Sequence, residues 1–339
     1  GATILAVGDQ YIETNSLTLN GGSGATTYGQ GVQIRHDDFA ELDPSFVAWG
    51  DQTIVMTGDN ASITLNGGSG AGTDPVAGGS NNFARIRSRQ GLQTIEFENS
   101  GGKLSVYGGS FGTNNYAGIG SDYDQTISGN PIVWLQGGVS GGAASVVNMY
   151  GGDERGNEAG LFSGDNDDSG YSVGDLSFAS LTIKGGTADF GEAGIGGINV
   201  TLNVTGDVSL TGGTSNSIDP NNDVPNAASA AYIAHDNNEG GMSGSLTMTV
   251  GGNLTLTGGS GISGIAVIGS GGAANVTLSV GGDLTATAGV GAVTIGSLAG
   301  LSDLPAATAY GGGSFVSVSA NNITLYGGVA GSSGLLIGS

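Results

Sequence analysis

The chain has 339 residues, 70 of them Gly, only 6 Pro and no Cys, and its net charge is -22. Such an acidic surface repels phosphate backbones and argues against nucleic acid as a partner; no run of about 18 apolar residues exists to cross a bilayer as a helix; and the lack of Cys removes disulfide staples and thiol redox chemistry. Gly at this level without a Gly-X-Y period excludes collagen, and a 37% apolar fraction in alternating runs excludes a disordered linker.

No segment sustains the i, i+3, i+4, i+7 pattern of a helix, whereas short alternations of Val, Ile, Leu and Thr bounded by Gly, Asn and Asp recur from end to end. One six-residue phrase returns nine times: apolar, small polar, apolar, any residue, then usually Gly-Gly. Its copies start at Leu17, Ile63, Leu104, Val147, Leu181, Val208, Leu254, Leu284 and Ile323, a period of 27–46 residues. Repetition at a fixed unit across a whole chain marks a stacked-repeat architecture.

The phrase is the middle of three strand types, named B, C and A in chain order. The clearest unit runs from a B strand at Asn275–Val280 through a C strand at Asp283–Thr287 to an A strand at Gly291–Gly296, and the unit before it has the same layout 30 residues earlier. B strands are expected near 2–7, 53–57, 93–97, 132–135, 172–178, 199–204, 246–250, 276–280 and 315–318. A strands are expected near 32–35, 84–87, 117–120, 159–162, 193–196, 231–234, 265–269, 293–296 and 335–338. The fold expected is all-β: a single-stranded parallel β-helix, or β-solenoid, of about nine three-faced coils forming one domain over 1–339. Longer insertions fall near 36–50, 71–80, 153–170, 214–227, 236–243 and 298–313. Gly-Gly at the corners is expected to supply positive φ for sharp bends. In C strands the two apolar positions point inward, giving columns that begin Leu17, Ile63, Leu104, Val147 and Leu19, Leu65, Val106, Met149.

At the ends, Ala2–Val7 reads as a B strand and Leu335–Ser339 as an A strand. The next unit after a final A strand is a B strand, which a second copy would supply; stacked head to tail, copies would form an open fibre. The interface expected comprises Ile4, Ala6, Leu17 and Leu19 in the first coil and Ile323, Leu325, Leu335 and Ile337 in the last. All seven basic residues lie at or before position 184, so Arg35, Arg85 and Arg87 would give a positive lower end facing an acidic upper end. The competing reading pairs these arginines locally with Asp37, Asp38 and Asp122.

Two acidic stretches have oxygen ligands at calcium-loop spacing: Asp165, Asp167 and Ser169, and Asp219, Asn221 and Asp223. Neither carries the closing Glu, so solvated turns compete with a calcium site, and no cofactor is required by the fold. Polysaccharide-active β-helices need convergent carboxylates in a groove; here His36 and His235 lie far apart and no acid pair converges.

The strings VTLNVTGDVSLTGG, LTMTVGGNLTLTGG and VTLSVGGDLTATAG resemble the Gly-rich repeats of filamentous-haemagglutinin-like adhesins and other bacterial β-strand-repeat surface proteins. The likeness is clear over 171–339 and loose before it. It implies a right-handed parallel β-helix, secretion to a prokaryotic cell surface, and a role in adhesion or matrix. The leading expectation is an extracellular structural subunit that polymerises with itself. The alternatives are the passenger fragment of a large adhesin that binds glycan, a neighbouring filament or a cell surface, and a polysaccharide-active enzyme.

Overall fold

A computed structural model of the chain describes residues 1–23, 30–36, 50–69, 82–89, 91–110, 115–137, 159–163, 173–187, 191–197, 199–216, 229–235, 245–270, 275–297, 315–328 and 334–338. Their strands wind in turns of three. The first turn is β1 (Ala2–Ala6), β2 (Gln10–Thr14) and β3 (Ser16–Asn20); the second is β4 (Val32–His36), β5 (Gln52–Met56) and β6 (Ser62–Asn66). The third is β7 (Ala84–Ser88), β8 (Gln93–Phe97) and β9 (Lys103–Tyr107); the fourth is β10 (Ala117–Ser121), β11 (Gln125–Ser128) and β12 (Ile132–Gln136). The fifth is β13 (Ala159–Ser163), β14 (Val173–Phe178) and β15 (Ser180–Lys184); the sixth is β16 (Ala193–Gly197), β17 (Asn199–Val204) and β18 (Val208–Thr211). The seventh is β19 (Ala231–His235), β20 (Ser245–Val250) and β21 (Leu254–Thr257); the eighth is β22 (Ala266–Ser270), β23 (Asn275–Val280) and β24 (Leu284–Thr287). The ninth is β25 (Val293–Ser297), β26 (Val316–Ser319) and β27 (Ile323–Tyr326), and β28 (Leu335–Gly338) opens a tenth.

Each strand pairs in parallel with the strand three places on, giving three sheets. Face A holds ten described strands (β1, β4, β7 and onward to β28), and faces B and C hold nine each. This is the three-faced parallel β-solenoid expected. Register puts like on like: Ile4, Ile34, Ile86 and Ile119 form the start of one inward column on face A, and Leu17, Ile63 and Leu104 the start of one on face C. Alternation along each strand sends every second side chain into the shared core, where apolar side chains stack rung on rung at ~4.8 Å and are sealed from solvent.

Three strand assignments need correction. Ala2–Ala6 lies on face A, paired with Val32–His36, and the first B strand is Gln10–Thr14. Ile132–Gln136 is a C strand, bonded to β9 below and β15 above, and the B strand of that turn is Gln125–Ser128. The rung between Leu104 and Leu181 is thus filled by Val133, and the phrase expected at Val147 lies outside the described residues. Val133-Trp134-Leu135-Gln136-Gly137-Gly138 is itself a copy of the phrase, with Trp in the small-polar slot. That slot faces outward, so a large side chain fits there.

The Gly-Gly corners follow C strands, and their cause differs from the one expected. None of Gly21, Gly22, Gly67, Gly68, Gly212 and Gly213 has positive φ; such φ occurs at other corners, as at Gly8, Gly58 and Gly101. What these glycines permit is close approach. Gly67 N donates to Tyr107 O at 2.7 Å in the next turn, and Gly68 N donates to Asn82 O at 2.6 Å across the mouth of the connection. A Cβ on Gly67 would sit 2.6 Å from the backbone oxygen of Asn115. The chain can leave for an excursion here and re-enter at the same place. B-to-C corners, by contrast, span only one to five residues, so all long connections enter or leave face A. The expected insertions near 71–80, 236–243 and 298–313 lie wholly outside the described residues, and those near 36–50, 153–170 and 214–227 largely so.

Candidate end-to-end interface

The inward columns run out at both ends of the solenoid. On face A, Ile34 and Ile86 are 2% and 0% exposed, while Ile4 in the same column is 56% exposed. On face C, Leu284 and Ala286 are 0% exposed, while Ile323 and Leu325 directly above them are 48% and 46% exposed. Leu335 and Ile337 in β28 and Leu17 in β3 are half-buried, Ala6 likewise, and Leu19 is buried. Tyr11 and Phe315 add exposed rings at the lower and upper ends. Among the described residues no strand pairs with the outer edges of β1, β2 and β3 below or of β26, β27 and β28 above. Each end therefore presents a ring of free N–H and C=O groups around an apolar centre, the combination that templates further β pairing.

Charge at the two ends is sparse. Residues 315–328 and 334–338, the described part of the upper rung, contain no Asp, Glu, Lys or Arg. The lower rung carries Asp9 and Glu13; the Tyr11 hydroxyl donates to Glu13 Oε2 at 3.1 Å, which raises the tyrosine pKa above its ordinary value. An uncharged surface facing this lower rung meets no like charge, which matters in a chain of net charge -22.

The arginines expected at the joint lie elsewhere. Arg35 is in β4, and Arg85 and Arg87 are in β7, in the second and third turns. Arg87 is buried and donates to Asp122 through Nε (3.1 Å to Oδ1) and Nη2 (2.9 Å to Oδ1, 3.1 Å to Oδ2). Arg89 Nε lies 3.5 Å from Asp122 Oδ2. Arg85 donates to Gln33 Oε1 at 2.7 Å and to the Tyr116 hydroxyl at 3.3 Å, with its guanidinium 4.7 Å from the centre of Phe83, which stacks on Tyr116 at 5.2 Å. The cluster is part of the outer packing of face A, and the local pairing with Asp122 weighed from sequence is present. Asp37 and Asp38 lie outside the described residues.

A polar seam went unread in the sequence. Gln10, Gln52, Gln93 and Gln125 open successive B strands, face inward, and form one column. Each Nε2 from Gln52 upward donates to the Oε1 below it at 2.6 Å. Beside it, buried His36 Nδ1 lies 3.3 Å from Ser88 Oγ. The column ends at Gln125, whose Oε1 has no hydrogen-bond partner, beneath Gly174; above that come Val200, Leu246 and Val276. The recurring Gln-x-Ile triplets at Gln10, Gln52, Gln93 and Gln125 are the signal that would have located both missed B strands.

The candidate calcium ligands Asp165, Asp167, Ser169, Asp219, Asn221 and Asp223 lie outside the described residues. Among the described residues no group of three or more His, Asp or Glu side chains converges as a metal site, and no helix is long and apolar enough to cross a membrane. No protein-family model, curated protein or solved structure matches this chain.

Proposed function

We propose that this chain is an extracellular structural protein that assembles head to tail, the upper rung of one copy pairing with the lower rung of the next to build a β-solenoid filament or sheath on a prokaryotic surface. The observation that carries the reading is the pair of exposed columns: Ile4 below and Ile323 and Leu325 above are ends of aliphatic stacks whose interior members are sealed. Covering each end would satisfy a ring of strand edges and bury apolar area at roughly 25 cal/mol per Å2. The described part of the upper rung carries no charged side chain, so it adds no local like-charge contact to the repulsion that a net charge of -22 sets against self-association. Interface residues in this reading are Ile4, Ala6, Leu17, Leu19, Ile323, Leu325, Leu335 and Ile337; Arg35, Arg85 and Arg87 are left to the packing of face A. No cofactor takes part. The resemblance to filamentous-haemagglutinin-like repeats supports the same setting.

The exposed edges also fit a second reading, in which further coils of a longer adhesin cover them and the insertions beside face A bind glycan. Sedimentation of the purified 339-residue chain separates the two. Concentration-dependent growth into fibres, abolished by Ile323→Asp, supports self-assembly. A monomer at high concentration supports the adhesin fragment and removes the filament reading.

A further inference from the structure

Face C runs along the side of the solenoid, and its charge is opposite to that of the chain as a whole. The sequence carries 29 Asp and Glu residues, yet none falls within the C strands from β3 to β27. The described acids Glu98 and Asp207 stand at B-to-C corners, beside the face and not on it. The chain's two lysines, Lys103 in β9 and Lys184 in β15, both lie on this face. Among the described residues neither has a carboxylate partner.

One rung of the same face breaks the pattern of the others. The middle outward slot of the C strands holds Thr or Ser from Thr18 at the bottom to Thr324 at the top, except in β12, where it holds Trp134. Val133 and Leu135 on either side are sealed in the core, so the indole lies on the outer surface, half-buried. Trp134 stands between Ser105 below and Thr182 above. Lys103 precedes Ser105 by two residues and Lys184 follows Thr182 by two, which puts the lysines at opposite corners around the ring. Lys184 Nζ lies 4.5 Å from the ring centre, and Trp134 Nε1 donates to Gln136 Oε1 at 3.4 Å. With rungs at ~4.8 Å and outward positions ~6.8 Å apart, this surface has the footprint of a short oligosaccharide.

We infer that the surface around Trp134 binds glycan bearing carboxylated sugars, a pyranose ring lying on the indole and its carboxylates drawn to Lys103 and Lys184. An indole offers an apolar plate to the C–H face of a sugar, while Ser105, Thr182 and Gln136 supply hydroxyl and amide partners for the sugar's rim. Two cations on a face without acids select an anionic partner. A net charge of -22 works against a long, dense polyanion such as nucleic acid. A sugar carboxylate is a single charge set beside a lysine, and acids more than about 8 Å away are screened from it at physiological salt. The inference does not depend on how the ends of the solenoid are covered.

Calorimetric titration of the purified chain tests it, with short oligomers of galacturonate, short oligomers of mannuronate and a sialylated trisaccharide as probes. Galactose oligomers serve as the uncharged counterpart and oligoglutamate as the acidic peptide. At least one acidic sugar should bind, and Trp134→Thr, which restores the residue type of the other rungs, should abolish the binding. Lys103→Gln with Lys184→Gln should weaken it about tenfold, the scale of two exposed ion pairs, and added salt should weaken the parent chain more than this variant. All three substitutions are at outward positions and should leave the circular dichroism unchanged. Failure of all three acidic sugars, or binding that survives Trp134→Thr, overturns the inference. Equal binding of galactose oligomers or of oligoglutamate also overturns it, and assigns the surface to neutral sugar or to acidic peptide instead.

Discussion

Ile34 stands directly on Ile4 in sheet A, and the two are distinguished by what lies beneath them: Ile34 has a rung below, and among the described residues Ile4 has none. Removing Ile34 opens a cavity in the sealed column, so Ile34→Ala should cost about 2–5 kcal/mol of stability. Ile4→Ala should leave chemical denaturation of the monomer within about 1 kcal/mol, since an exposed side chain loses little on truncation. Ile4→Asp should nevertheless stop fibre growth, because joining two copies would bury an unpaired carboxylate. Denaturation and sedimentation of the same three variants check both halves.

The glutamine seam gives a prediction whose sign depends on how many residues change. Gln52→Leu takes the donor from Gln10 Oε1 and one of two acceptors from Gln93 Nε2, which keeps Gly120 O, and should cost about 1–3 kcal/mol. Replacing Gln10, Gln52, Gln93 and Gln125 together with Val extends the aliphatic column already present at Val200, Leu246 and Val276. That quadruple variant should unfold at higher denaturant than Gln52→Leu despite carrying four substitutions, since it removes both sides of every amide-to-amide bond and takes a side-chain donor only from the carbonyls of Arg35, Arg87 and Gly120.

Arg87 and Asp122 form a buried pair, and breaking it from one side removes the carboxylate to which Arg87 donates through Nε and Nη2. Asp122→Ala should destabilise by about 3–5 kcal/mol. Arg87→Met with Asp122→Leu should cost much less than the sum of the single changes. A double-mutant cycle by urea denaturation reads the coupling, which should change little with added salt because the pair is shielded from it.

Two kinds of corner glycine should respond differently to the same substitution. Gly8 has φ of +93° and nothing within 4 Å of an added Cβ, so Gly8→Asn should cost little beyond the modest strain of that backbone region. Gly67 has an ordinary φ and a carbonyl where its Cβ would lie, so Gly67→Asn should cost several-fold more. Thermal melts of the two variants test whether space or dihedral freedom selects glycine after the C strands.

The C strands were readable from sequence because three constraints fall in one short phrase: two inward aliphatics and a glycine that must pass close to the next turn. That is why Ile63, Leu104, Leu181, Val208, Leu254, Leu284 and Ile323 sit in one column as expected. The rule failed at Val133 because its outward slot, which tolerates any residue, holds Trp134, and a better-looking copy follows at Val147. The B strands at Gln10–Thr14 and Gln125–Ser128 were missed because Ala2–Val7 and Ile132–Leu135 offered stronger aliphatic runs for the same place, whereas β5 and β8, which open on Gln as well, were found. The placement of β1 on face A could not be seen without the glutamine column, and with it went the expectation of a B strand at the lower joint. The arginines looked like an end patch because Arg35, Arg85 and Arg87 cluster early in the chain; Asp122, which holds Arg87, is a full turn away in sequence.

Helical reconstruction of the assembled chain by electron cryomicroscopy tests the central claim most directly. Head-to-tail continuation requires one subunit every ~45 Å along the axis, with the ~4.8 Å rung spacing unbroken through each joint. Discrete rods of that length with free ends, or rods paired end to end through like surfaces with a gap in the rungs, would contradict it.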